Sequence, residues 1–323
     1  MGTRAAFIGI LIVVLLAPIG IAAPISSENI LVSADNVLHE YTPAGSFVQS
    51  FQIPDGAGTI PNSDIARDIA ISDGSAVAHV YNGTFTSSMS TLNSSAPMWS
   101  HQTLAGLSTV NNVSNGGIAV ARDYVYVTDM ATAGAGAPQG IVRFDSAGNS
   151  VRFATGIGPQ DLNIGHDGFL YALADDEVHV YDPVSLAFQR SFDLDVTIGP
   201  GDYRAIAVNA AGQLFVVTWT GTLYKTNANG GTLLSVNLGG NLTDVDVSST
   251  GLVVVGEWFG DVTTTDESFA SPTSFTVSST ATFVAVGANP NVGLPISPFA
   301  VALAVSLIAF TSLLTMRRNY SSR

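Results

Sequence analysis

The sequence predicts an all-β fold, a six-bladed β-propeller, on three observations. A unit of short apolar runs recurs along most of the 323 residues. Gly, Asp and Asn fall between those runs where hairpins need them. No stretch between Pro24 and Pro290 carries the 3.6-residue period of a long amphipathic helix.

The chain opens with a segment that does not belong to the ring. In "MGTRAAFIGILIVVLLAPIGIAAP", Arg4 gives a positive start and Ala5 to Leu16 is apolar apart from Gly9. Pro18 and Gly20 break a helix there, and small residues at Gly20 and Ala22 suit a signal peptidase. Residues 1–23 therefore read as a signal peptide, and residues 24–288 as an exported propeller ectodomain.

Within the ectodomain the repeat is visible directly. "DIAISDGSAVAHVYNGTF" begins at Asp68, "GIAVARDYVYVTDM" at Gly117 and "DLNIGHDGFLYALADDEVHVYDP" at Asp161. "AIAVNAAGQLFVVTWTGTLYKTN" begins at Ala205, "DVDVSSTGLVVVGEWFGDVTTTD" at Asp244 and "FVAVGA" at Phe283. Each opens on an alternating apolar pair, and successive pairs lie 39 to 49 residues apart. Propeller blades of four strands repeat at about that interval. Turns follow the first strand at Asp73-Gly74, Asp167-Gly168, Ala211-Gly212 and Thr250-Gly251. The stretch from Asn29 to Ile53 reads as strands two to four of a blade without a first strand, and "TFVAVGA" as a first strand with nothing after it. The two ends should share one blade and close the ring, which removes exposed sheet edges.

After a linker at 289–295, residues 296–316 hold no charge and are followed by Arg317 and Arg318. About 20 apolar residues suffice to cross a bilayer. A C-terminal transmembrane helix is expected there, with 317–323 as a cytoplasmic tail and the propeller outside, anchored to the membrane at the cell surface.

Composition excludes several functions. Acidic residues outnumber basic ones 25 to 11, the net charge is −14, and Lys225 is the single lysine. Nucleic acid is therefore not an expected partner, because phosphate binding needs clustered cations. With no cysteine, disulfides, thiolate zinc sites and cysteine nucleophiles are absent. There is no G-x-S-x-G elbow and no H-E-x-x-H pair. His39, His79, His101, His166 and His179 occupy different blade positions, and His166, beside the Asp167-Gly168 turn, is expected at the surface.

The pattern of inner strand, Asp-Gly turn, aromatic strand and Tyr/Phe-Asp resembles the NHL and YVTN propellers and the streptogramin-lyase-like group. The resemblance covers nearly the whole ectodomain and implies the fold more strongly than any activity. The tail is similar in the order of its parts to PEP-CTERM sorting tails, although "NPNVGLPISP" lacks Pro-Glu-Pro.

Aligned repeats place Asp68, Asp161 and Asp244 at one position, before the first apolar residue of alternate blades, with Arg67 and Arg204 beside it. Two readings follow. The carboxylates could converge on the channel mouth and hold a hard cation, calcium being the candidate. Alternatively, each fixes the start of its strand by accepting from nearby backbone amides. Trp219, Trp258 and Phe259 sit in matching turns of adjacent blades, where they either stack on a glycan or protein ligand or pack between blades. Asn82, Asn93, Asn112 and Asn241 head sequons and are permitted glycosylation sites. The expected function is a non-enzymatic binding or envelope-interaction module without a resident cofactor, recognising an extracellular protein or glycan. The alternatives are a metal-dependent lyase or lactone hydrolase and a structural surface-layer component.

Overall fold

A computed structural model describes residues 25–26, 28–34, 37–53, 65–72, 75–82, 86–93, 99–103, 107, 116–121, 124–129, 139–277 and 282–286. They form a ring of four-stranded antiparallel sheets. The chain completes five of these sheets in sequence order. Blade 1 is composite and begins with β1 (Ile30–Ala34), β2 (Val37–Tyr41) and β3 (Phe47–Gln52). Blade 2 holds β4 (Ile65–Ser72), β5 (Ser75–Asn82), β6 (Thr86–Asn93) and β7 (Trp99–Thr103). Blade 3 holds β8 (Ile118–Ala121), β9 (Tyr124–Asp129), β10 (Gly140–Asp145) and β11 (Ser150–Phe153). Blade 4 holds β12 (Asp161–Ile164), β13 (Leu170–Ala174), β14 (Glu177–Tyr181) and β15 (Phe188–Asp193). After it comes a single helical turn, α1 (Leu194–Thr197), capped by the Asp193 side chain. Blade 5 holds β16 (Tyr203–Val208), β17 (Leu214–Thr218), β18 (Thr222–Thr226) and β19 (Thr232–Asn237). Blade 6 holds β20 (Leu242–Val247), β21 (Leu252–Glu257), β22 (Asp261–Asp266) and β23 (Thr273–Thr276). Finally β24 (Phe283–Val286) returns to blade 1 and pairs antiparallel with β1, Ile30 opposite Val286.

One part of the expected fold class is corrected. The fold is all-β, and no helix among the described residues is long and apolar enough to cross a membrane. Along the described strands the apolar residues alternate and face neighbouring blades, a two-residue period that builds sheets and not a spanning helix. Residues 1–23, 289–295, 296–316 and 317–323, on which the expected signal, linker, span and tail fall, lie outside the described residues.

The innermost strands β4, β8, β12, β16, β20 and β24 pack side by side around the axis. Their side chains alternate between two seams. Ile69, Ile118, Leu162, Ile206, Val245 and Val284 point back to the preceding blade, and the residues before them point forward. Each seam holds one apolar cluster. Leu31, Ile69 and Ala285 share a cluster at the seam of blades 1 and 2, and Ala119, Leu162 and Leu170 at that of blades 3 and 4. Burying one such Val, Leu or Ile contributes about 1.5–3 kcal/mol. The β16–β17 and β20–β21 turns use Gly212 (φ +69) and Gly251 (φ +85), where a side chain would be strained.

Candidate functional site

An innermost strand is bonded on one side only, so its channel-facing N–H groups lack a ladder partner. Six such groups line up where the inner strands begin. Asp68 accepts from Ile69 N at 2.7 Å and from Ile118 N, in the next blade, at 2.6 Å. Asp161 accepts from Ile206 N at 2.7 Å and also from Leu162 N. Asp244 accepts from Val245 N at 2.8 Å and from Val284 N at 2.7 Å. Three carboxylates thus satisfy the same N–H in all six inner strands, each oxygen taking one donor for Asp68 and Asp244. One layer deeper, Asp246 repeats the arrangement with Val247 N and Val286 N, both at 2.8 Å, and Asn163 accepts from Val208 N at 3.2 Å.

Burial is the largest influence on these acids, and it raises their pKa. Asp161 is pushed up to about 7 and Asp246 to about 6. Asp68 and Asp244 stand well above the usual carboxylate range, first through burial and next through repulsion, from Asp244 and Asp161 on Asp68 and from Asp161 on Asp244. The backbone donors pull the other way. The channel between them is narrow, a void of about 60 Å³. That volume holds a few waters and excludes an organic substrate. Among the described residues no group of three or more His, Cys, Asp or Glu side chains is arranged to hold a metal ion.

The arginines arise from a different device. The register skips Arg67 between Ala66 and Asp68, Arg204 between Tyr203 and Ala205, and Thr243 between Leu242 and Asp244. These are β-bulges, which re-aim a side chain at the end of a strand. Arg204 leaves the barrel wall, bonds Asp202 at 2.7 Å and lies 4.7 Å from the Trp219 ring centre. The side chain of Arg67 lies outside what the structure describes.

Antiparallel pairing puts the turn between the second and third strands at the same end of the ring as the Asp layer. Trp219 therefore sits beside Trp258, ring centres 5.5 Å apart at 67°. Trp258 is 43% and Phe259 63% exposed. Arg204, Trp219, Trp258 and Phe259 make one cation–aromatic patch near the channel mouth. Asn241 accepts through its carbonyl from Trp258 N at 2.8 Å, so that sequon borders the patch. Asn82 and Asn93 end β5 and β6, and Asn112 lies outside the described residues.

Sequence reasoning missed Asp246 and Asn163. The signal was present, since both follow a mouth-layer Asp by two residues and share its face. His166 is also corrected. It is half-buried, and its Nε2 donates across the channel to Val247 O, two blades away, at 3.1 Å. Its backbone follows β12 directly, which carries the ring to the axis.

No protein-family model matches the chain, and no curated protein matches it. Solved structures do. A streptogramin B lyase superposes with a TM-score of 0.52 at 12% identity, over 79% of this chain and 85% of that one. A protein of unknown function from Bacteroides caccae superposes with a TM-score of 0.52 at 13% identity, over 80% of this chain and 98% of that one. At such identities the likeness is one of fold, the β-propeller.

Proposed function

We propose that this protein is an exported, non-enzymatic binding module that takes an extracellular protein or glycan on the rim at the channel mouth. The observation that carries this reading is the patch of Arg204, Trp219, Trp258 and Phe259. Two indoles and a guanidinium offer flat apolar faces with polar edges, and Phe259 projects furthest into solvent. Such groups dominate recognition surfaces because they cover much area at small entropic cost. The channel acids support the same reading from the other side. Their oxygens are engaged by backbone donors, and the void beside them is too small for an organic reactant.

The test is binding of the purified protein to a glycan array and to envelope fractions, in wild-type form and as Trp258→Ala with Phe259→Ala. The double variant should fold normally and lose at least tenfold in affinity for whatever the wild type captures. Retained binding would locate the surface elsewhere. Calcium up to millimolar levels should leave the melting temperature unchanged, and a rise that Asp161→Asn abolishes would revive the cation reading. Export is tested by fractionation of tagged cells.

A further inference from the structure

The rim turns of blades 5 and 6, "TWTGT" and "EWFGD", are built alike and charged differently. Trp219 N donates to Asp202 O and Trp258 N to Asn241 O, both at 2.8 Å. Gly221 N donates to Thr218 O at 3.0 Å, and Gly260 N to Glu257 O at 3.2 Å. The positions that bracket the turn hold Thr218 and Thr222 in blade 5, and Glu257 and Asp261 in blade 6. Blade 5 shows that the turn needs no acid there. The Thr218 hydroxyl accepts from Thr222 N at 3.1 Å and closes it.

The cation differs as well. Blade 5 supplies its own, since Arg204 lies 4.7 Å from the Trp219 ring centre and bonds Asp202 at 2.7 Å. In blade 6 the matching bulge places Thr243, whose hydroxyl donates to Thr282 O at 2.6 Å. Among the described residues no Arg or Lys lies over the Trp258 ring.

Glu257 is left unmet. Its carboxylate is half-buried and seated against Gly240, where a Cβ would collide with Oε2. Among the described residues it has neither a hydrogen-bond donor nor an ion-pair partner. Burial, and next the charge of Asp261, hold its pKa above the usual carboxylate range. Asp261 accepts from the Thr276 hydroxyl. A half-buried acid without a donor is costly to the fold unless something else meets it.

Resting on the rim as the binding surface, we infer that its partner is a protein, and that a basic segment of that protein lays an arginine or lysine side chain on Trp258 with the cationic head on Glu257 and Asp261. Arg204 on Trp219, with Asp202, is the same arrangement made within the chain. The excess of acidic over basic residues, 25 to 11, draws such a segment in. Neutral glycans can stack on the indole and leave the acids unmet, so they bind about tenfold more weakly.

The experiment is NMR titration of the full chain, following the Trp258 indole N–H, with a capped tetra-arginine peptide, tetraglutamate and cellotetraose. Tetra-arginine should move that signal at about millimolar concentration, and less as salt rises from about 20 to 200 mM. Glu257→Gln with Asp261→Asn keeps the shape of both side chains and should cost about tenfold or more in affinity. Trp258→Leu should cost about twofold to fivefold, read by calorimetry. Glu28→Gln with Asp145→Asn removes the same charge elsewhere on the ring and should cost less than about twofold. A still Trp258 signal, equal losses in the two charge variants, or cellotetraose binding as tightly as tetra-arginine would each overturn the basic partner. In that event the Trp258→Ala with Phe259→Ala variant separates the two readings. Capture lost there leaves the rim standing without a cation, and capture retained removes the rim itself. If the double acid variant unfolds, Glu257→Gln alone decides, because that carboxylate has no bond within the chain to lose.

Discussion

Alternate seams of the ring are built differently. Between blades 2 and 3, 4 and 5, and 6 and 1, an aspartate crosses from one inner strand to the next. Between blades 3 and 4, 5 and 6, and 1 and 2, the matching position holds Gly117, Ala205 or Phe283. Apolar packing does not account for the difference, because every seam has its own cluster. Hydrogen-bond demand does. Each inner strand brings one orphan N–H to this layer, and a carboxylate has two oxygens. One Asp therefore serves two strands, and the next strand needs none. A second Asp at an intervening seam would bury a charge with no donor left to meet it. The alternation of acidic and uncharged residues is the consequence of that count.

The largest test adds an acid where the count forbids one. Ala205→Asp places a carboxylate beside Ile206 N and Val245 N, which Asp161 and Asp244 already hold. An uncompensated buried charge costs about 3–5 kcal/mol. Chemical denaturation should show that loss or a chain that no longer folds cooperatively. A stable variant would mean that the intervening seams have spare donors.

Removing an existing acid should cost less. Asp161→Ala leaves Leu162 N and Ile206 N without their acceptor at a buried seam. Two unsatisfied donors cost about 2–4 kcal/mol, reduced by relief of carboxylate repulsion. Amide exchange should locate the effect at Leu162 and Ile206, and a change confined to blade 4 would contradict the bridge. Smaller again is Gly117→Ala at a seam without an aspartate. The new Cβ would approach Leu162 N to 2.5 Å and Asp161 Cα to 2.7 Å, both backbone atoms that cannot rotate away. Overpacking of this kind costs about 1–3 kcal/mol. Equal stability would show that the seam of blades 3 and 4 opens easily at this layer.

Several of these features could be read from the sequence. The apolar pairs at Ile69/Ile71 and Ile206/Val208 fix the alternation of an inner strand, and Gly212 and Gly251 mark its end. The shared position of Asp68, Asp161 and Asp244 and their alternate spacing were equally legible. Their purpose was not, because the second donor of each lies 40 to 50 residues further along the chain. A periodicity argument sees one strand at a time, and the count closes only across two. The same limit hid the reach of His166 to Val247. The rim patch was legible because "TWTGT" and "EWFGD" repeat in register, while the bulge that aims Arg204 at Trp219 left no mark beyond an arginine before an alanine.

The smallest effect is a difference in slope, and it tests whether the bridges titrate as buried acids. Asp246 at about 6 and Asp161 at about 7 both hold their protons more tightly in the fold than an unfolded chain would. The folded state then binds more protons between pH 4 and 7, so stability is greatest at the acidic end of that window and falls as pH rises. Asp145 and Asp266, held below the usual range chiefly by a side-chain bond from Asn149 and Ser268 respectively, act oppositely. Their contribution is lost only below about pH 4, so it does not mask the slope. For Asp246 alone the fall between pH 5 and 7 amounts to about 1 kcal/mol. Asp246→Asn removes that titration and keeps one oxygen for Val247 N or Val286 N. Melting curves across pH 5 to 7 should therefore be shallower in the variant by that amount, whatever its absolute stability. Parallel curves would mean that Asp246 is ionised throughout, and that its two backbone donors outweigh its burial.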